Sequence, residues 1–169
     1  MRVKNKIIAW TLLLIPLIVG MATVNIASAA GGSTVFIPPT FGTTLSPGTQ
    51  FTIDIDVDYV SRLWGYQLTL SFDPTMLKGI SVQNGPFLES AGGTAVVVPG
   101  PGFDNVAGTL GLFAAALRPV RNLPTGGGVL AVVTFEVKDY GVSVITFGPE
   151  TGLADRFGRW IIHKEENPE

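Results

Sequence analysis

Polar and apolar residues alternate strictly along "QFTIDIDVDY" (Gln50 to Tyr59), with Phe51, Ile53, Ile55 and Val57 on one side and Thr52, Asp54, Asp56 and Asp58 on the other. A period of two is that of a β-strand with one buried and one wetted face. The stretch "LWGYQLTLSFDPTML" (Leu63 to Leu77) follows the same rule: Tyr66, Leu68, Leu70 and Phe72 face a core, and Gly65, Gln67, Thr69 and Ser71 face out. Asp73-Pro74 ends that ladder, because proline lacks an N–H and holds the preceding residue extended. The Asp73 carboxylate can then accept amide protons from a turn through Thr75 and Met76, while Leu77 returns to the core.

The remaining segments are short and separated by Gly, Pro and Ser. "STVFIP" (Ser33 to Pro38) is a first strand and "LSPGTQ" a turn; "GISV" and "TAVVVP" are strands flanking "QNGPFLESAGG", whose Phe87 and Leu88 plug one end of the core. "GTLGLFAAAL" (Gly108 to Leu117) is a strand whose small residues suit close sheet packing, and "RPVRNLPTGGG" is a loop with Gly126 to Gly128 as its turn. In "VLAVVTFEV", Ala131, Val133, Phe135 and Val137 alternate with Val132, Thr134 and Glu136. "GVSVITF" reads as a strand, "GLADRFGRWIIH" as a turn entering a last strand, and "HKEENPE" as a frayed polar tail. No long window carries a helical period. Eight or nine evenly spaced strands predict an all-β sandwich of two antiparallel sheets.

Residues 1–29 stand apart from this pattern. Arg2, Lys4 and Lys6 precede an apolar run from Ile7 to about Ala22, and Ala27-Ser28-Ala29 supplies a small-residue cleavage signal, the layout of a secretory signal peptide. The expected division is a signal peptide at 1–29, one β-sandwich domain at 30–164 and a polar tail at 165–169. Of the 11 Lys and Arg, three lie in the leader; the remaining eight stand against 13 Asp and Glu, a net charge of −5 with histidine neutral. Such a domain has no basic footprint for nucleic acid and no apolar span for membrane insertion after cleavage.

The candidate chemistry is sparse. The chain has no cysteine, which excludes disulfides, thiolate metal sites and cysteine nucleophiles. His163 is the single histidine and reads as a solvated strand end; no G-x-S-x-G elbow accompanies it. Asp54, Asp56 and Asp58 lie ~6.6 Å apart in succession at ~3.3 Å per residue, within the range of glycosidase carboxylates. A wetted face gives them no means of raising a pKa, so a solvated, edge-protecting role is expected. A weak calcium site is open to Asp54, Asp56, Asp104 or Asp155, since calcium takes hard oxygen ligands. Trp64, Tyr66, Phe157 and Trp160 read as structural, although exposure of Trp64 and Trp160 in a line would point to sugar stacking. No catalytic residue, cofactor or resident metal is assigned.

Taken in series, "LSPGTQFTIDIDV", "WGYQLTLSFDPTMLKGISVQNGPFL", an alanine-rich strand, "TGGGVLAVVTFEV", "GVSVITF" and "GLADRFGRWI" resemble a cohesin domain over essentially the whole chain beyond the leader. The resemblance implies a nine-stranded jelly roll, related to cellulose-binding modules, that binds dockerin modules in secreted polysaccharide-degrading assemblies. It further implies partner binding through the strand before the Asp-Pro, making Gly65, Gln67, Thr69 and Ser71 the candidate partner-binding residues. The family's Asn and Asp on that strand match Gly65 and Gln67, so the usual hydrogen-bonding pair is missing. The expected function is non-catalytic recognition or scaffolding outside the cell or at its surface, with a dockerin-like module as partner and calcium, if any, on that partner. The alternatives are a carbohydrate-binding module, for which polysaccharide is the partner, and a structural subunit of a surface layer or filament.

Overall fold

The computed structural model describes residues 32–38, 45–98, 100 and 102–167. The signal-peptide assignment therefore lies outside the described residues. The elements are β1 (Ser33–Phe36), β2 (Gln50–Val60), β3 (Gly65–Ser71), β4 (Leu77–Asn84), a 3-10 turn (Phe87–Glu89), β5 (Thr94–Val98), β6 (Phe103–Asp104), β7 (Thr109–Arg118), β8 (Gly126–Val137), β9 (Thr146–Phe147), β10 (Gly152–Ala154), β11 (Trp160–Ile161) and β12 (His163–Glu166).

Two sheets form the sandwich, as the alternation requires. The first has the order β12-β1-β2-β8-β4; the second runs β11-β10-β3-β7-β5, with β6 beside β7 and β9 beside β3. All pairs are antiparallel except β1 with β12, which run parallel from Ser33 opposite His163 to Phe36 opposite Glu166. Ile53, Ile55 and Val57 of β2, Leu68 and Leu70 of β3, and Ala131, Val133 and Phe135 of β8 are buried between the sheets. Phe135 lies at the centre, with ring centroids 5.9 Å from Phe51, 5.2 Å from Phe72 and 5.7 Å from Phe103. Phe87 and Leu88 close one end, as expected. Asp73 builds the anticipated turn: its Oδ1 accepts the Thr75 N–H at 2.8 Å, and its carbonyl accepts the Leu77 N–H at 2.9 Å.

Four expectations need correction. "GVSVITF" contributes only Thr146–Phe147 to a strand; Ile145 is buried, whereas Val142 and Val144 are exposed. Gly126 to Gly128 open β8 instead of forming a turn. Gly126 has φ +114° and an added Cβ on Gly128 would come 2.9 Å from the Phe87 ring, so these glycines let β8 follow the bulges of β2 and admit the Phe87 plug. The tail is not frayed through Glu166: residues 163–166 form β12, two residues beyond the expected domain edge at 164, because β1 offers them a ladder. His163 is not solvated: its side chain is only 14% exposed, with Nε2 3.5 Å from Glu165 Oε1 and Nδ1 3.0 Å from the Ile161 carbonyl. The described residues thus hold twelve strand segments, more than nine, chiefly because short pieces share one neighbour: β9 and β10 both line β3.

Candidate recognition face

The strand that carries the four candidate residues is the middle of the second sheet, flanked by β10 and β9 on one side and β7 on the other. Tyr66 and Leu68 point inward and are buried, so Gly65 and Gln67 belong to the outer side, where Gly65 is itself buried beneath its neighbours and Gln67 is half-buried. Cross-strand register then defines one row on that face, Val96–Ala116–Gly65–Ala154–Trp160, running from β5 to β11. The next row is Val98–Ala114–Gln67–Gly152. Neither row contains a charged side chain. The result is a smooth floor of Gly and Ala with valines rising on one side and a tryptophan on the other.

Close backbone and side-chain approach explains the small residues. A Cβ added to Gly65 would come 2.8 Å from the Ala115 carbonyl oxygen and 3.2 Å from Ala116 Cβ. At Gly152 it would come 2.7 Å from Trp160 Cζ3, so the indole lies across this glycine. Trp160 is nonetheless 62% exposed and Val98 58% exposed, leaving apolar surface open on both flanks.

The candidates differ in what they have left to offer. Gln67 donates through Nε2 to the Glu150 carbonyl, which fixes its amide and leaves Oε1 as an outward acceptor. Thr69 is occupied by its own sheet: its N–H donates to Thr151 Oγ1 at 3.2 Å, and its carbonyl accepts from Gly148 N–H at 2.8 Å and Thr151 Oγ1 at 3.0 Å. Ser71 is exposed, opposite Thr109 and Thr146 at the far end of β3. Gly65 and Gln67 therefore share the smooth floor, whereas Thr69 and Ser71 lie beyond its two rows. Sequence reasoning missed Val96, Val98, Ala114, Ala116, Gly152, Ala154 and Trp160 as members of this surface. The run of three alanines in "LFAAAL" carried part of that signal.

The aromatic residues separate in a way the sequence left open. Tyr66 is core, as expected; its hydroxyl lies 2.6 Å from the Leu130 carbonyl and 2.9 Å from Asn84 Oδ1, and burial pushes its pKa up. Trp64 is half-buried with Nε1 donating to the Leu117 carbonyl at 3.1 Å. Trp160 and Phe157 are exposed instead of structural. Trp64 and Trp160 do not form an exposed line for sugar stacking.

The carboxylates do not converge. Asp54 and Asp56 lie on the outer face of β2, Asp104 caps the β6 turn, and Asp155 holds the β10–β11 turn. Among the described residues no three Asp, Glu, His or Cys gather as a metal-binding cluster. Asp104 and Asp73 are held below the usual carboxylate range by hydrogen bonds, chiefly from Ala107 N–H and from Thr75. The expectation for the wet face fails at Asp56, whose pKa is raised first by partial burial and then by the charge of Asp54. Its cross-strand partners are Phe36 on β1 and Val129 on β8.

The two uncharged rows give one outer face of the sandwich a small-residue floor on which another surface can lie closely. The chain belongs to the cohesin domain family, whose pattern matches residues 24–156. Solved cohesin modules are among the structures that share the fold. The second type II cohesin module of the cellulosomal adaptor ScaA scaffoldin from Acetivibrio cellulolyticus is 20% identical, with TM-score 0.65 over 82% of this chain and 95% of that one. The sixth cohesin of scaffoldin B from the same organism, in complex with a Cel5 dockerin mutant, is 17% identical, with TM-score 0.62 over 81% of this chain and 96% of that one. A type I complex of the OlpA cohesin with a dockerin from Clostridium thermocellum gives 14% identity and TM-score 0.61 over 82% and 96%. No curated protein sequence matches the chain.

Proposed function

We propose that the chain is a non-catalytic recognition module, exported from the cell, that seats a dockerin-type protein module on the outer face of the second sheet. The observation that supports this reading is the pair of uncharged rows through Gly65 and Gln67, flanked by exposed Val96, Val98 and Trp160. Four inter-strand spacings of ~4.8 Å make the face ~19 Å wide. An α-helix ~10–12 Å across fits over β3 and β7 between the valines and the indole. Affinity on such a surface comes from a few desolvated apolar anchors, and Gln67 Oε1 supplies an orienting acceptor. Family membership supports the same partner class, and the leader at residues 1–29 supports export. Any link to polysaccharide breakdown passes through the partner.

The test is calorimetric titration of the purified protein with recombinant type I and type II dockerin modules, with calcium and then with chelator. Binding that requires calcium and is lost in Ala116→Tyr, with the melting curve retained, is the expected result. A dockerin that binds the Ala116→Tyr variant as well as the parent would move the interface elsewhere; no binding to any dockerin would sink the partner class.

A further inference from the structure

A second feature stands at the end of the sandwich, beside the recognition face but on the side of β11 that carries Ile161, and has the opposite character. The turn from Asp155 to Arg159 joins β10 to β11, and the loop Ser61–Arg62 leads into β3, so both end beside the row that holds Gly65, Ala154 and Trp160. Between them opens a pocket of about 510 Å³ lined by Ser61, Arg62, Leu123, Arg156, Phe157 and Ile161, with Asp155 and Arg159 in its wall. Three arginines and one aspartate thus line the pocket, in a domain whose acidic residues outnumber its basic ones.

The carboxylate is already consumed. Asp155 Oδ1 accepts the Phe157 and Arg159 N–H groups at 2.8 and 3.0 Å, and Oδ2 accepts Arg159 Nε and Nη2 at 2.9 and 2.7 Å. Arg156 and Arg62 have no ion-pair partner among the described residues. Arg156 lies 4.5 Å from the Phe157 ring centroid and Arg159 5.0 Å, so the exposed ring holds two guanidinium groups in place. Arg62 is presented by a left-handed backbone, φ 56°, fixed by its N–H donating to Thr125 Oγ1 at 3.0 Å. Maintaining that conformation in a residue with a Cβ costs free energy, and such strain concentrates at functional sites. Planar forks held in this way suit carboxylates. The guanidinium groups already occupy Phe157, which leaves its ring poorly placed to stack on a sugar.

We propose that this arginine pocket is the polar anchor of the recognition face, receiving aspartate or glutamate side chains of the protein module seated there. The inference rests on the recognition reading above, and it supplies what the two uncharged rows lack: a charged contact that fixes the partner's register. It also predicts an acidic patch on the partner, beyond the end of the segment that lies over Gly65.

The test follows the arginine Nε–Hε signals of the purified protein by NMR during titration with an acetylated hexaglutamate peptide. Saturable shifts at Arg62, Arg156 and Arg159 are expected, weakened about tenfold or more in Arg156→Glu and again in Arg62→Glu/Arg156→Glu, and unchanged in Ala116→Tyr. Parallel titrations use oligogalacturonate and inorganic sulfate. Absence of shifts at these arginines, equal affinity for sulfate, or tighter binding of the acidic sugar would each overturn the assignment to protein carboxylates. Dockerin binding lost in Ala116→Tyr but unaltered in Arg156→Glu would overturn the anchor and leave the recognition face intact. Hexaglutamate binding without any dockerin binding would instead overturn the recognition reading and leave an acidic-peptide site.

Discussion

Leu70→Ala tests the face assignment of β3 most directly, because Leu70 and Gln67 lie on one strand with opposite expected roles. Leu70 is 1% exposed and pairs with Leu110, itself 1% exposed, and with Phe147. Truncation to alanine removes about three methylene equivalents from the core, ~2.4 kcal/mol at ~0.8 kcal/mol each. A cavity penalty adds to this where neighbours cannot collapse, so the expected total is ~2–5 kcal/mol. Here the neighbours belong to paired strands, which favours the upper half of that range. For a domain of this size each kcal/mol shifts Tm by roughly 3–5 °C, so a loss of about 4 kcal/mol lowers it by about 12–20 °C. Gln67→Arg removes one exposed side-chain hydrogen bond, worth ~0.5–1.5 kcal/mol, and no core volume. Urea and thermal denaturation followed by circular dichroism separate the two. A cost below about 1 kcal/mol for Leu70→Ala, or a loss of fold in Gln67→Arg, would refute the assignment of inner and outer faces.

Three further outcomes follow from the same coordinates. Asp56 has a raised folded pKa, so its ionised form opposes folding; Asp56→Asn should raise Tm at neutral pH, with the gain vanishing below the unfolded value of 3.8, where both states are protonated. Asp73, Asp104 and Asp155 have depressed folded pKa values, so their stabilisation is present above 3.8 and lost as pH falls through the lower folded values; urea titrations from pH 6 to pH 2 should show this decline, and Asp155→Asn should flatten part of it. Gly79→Ala should destabilise by ~1–3 kcal/mol or more through overpacking, since its Cβ would fall 2.0 Å from Phe103 Cδ1; an unchanged denaturation midpoint would show that Phe103 can swing aside.

The alternation in β2, β3 and β8, together with evenly spaced turns and no helical period elsewhere, determined by itself an all-β fold in which each strand buries one face against other strands. It also placed Gly65 and Gln67 on an outer face and made the Asp73 turn legible from local hydrogen-bonding chemistry. Composition removed thiolate chemistry outright. What remained hidden depends on residues far apart in the chain. Whether 163–166 frays or pairs is decided by β1, 130 residues away in the register of Ser33 with His163. Whether three glycines form a turn or open a strand is decided by Phe87 and the bulges of β2. The smooth floor itself joins residues from five strands, and no local window contains more than part of it. The arginine pocket is likewise invisible in "ADRFGR", where Arg156 and Arg159 look like ordinary turn charges until Arg62 arrives from the start of β3. Side-chain periodicity decides which way a residue points; only the packing of strands decides what it meets there.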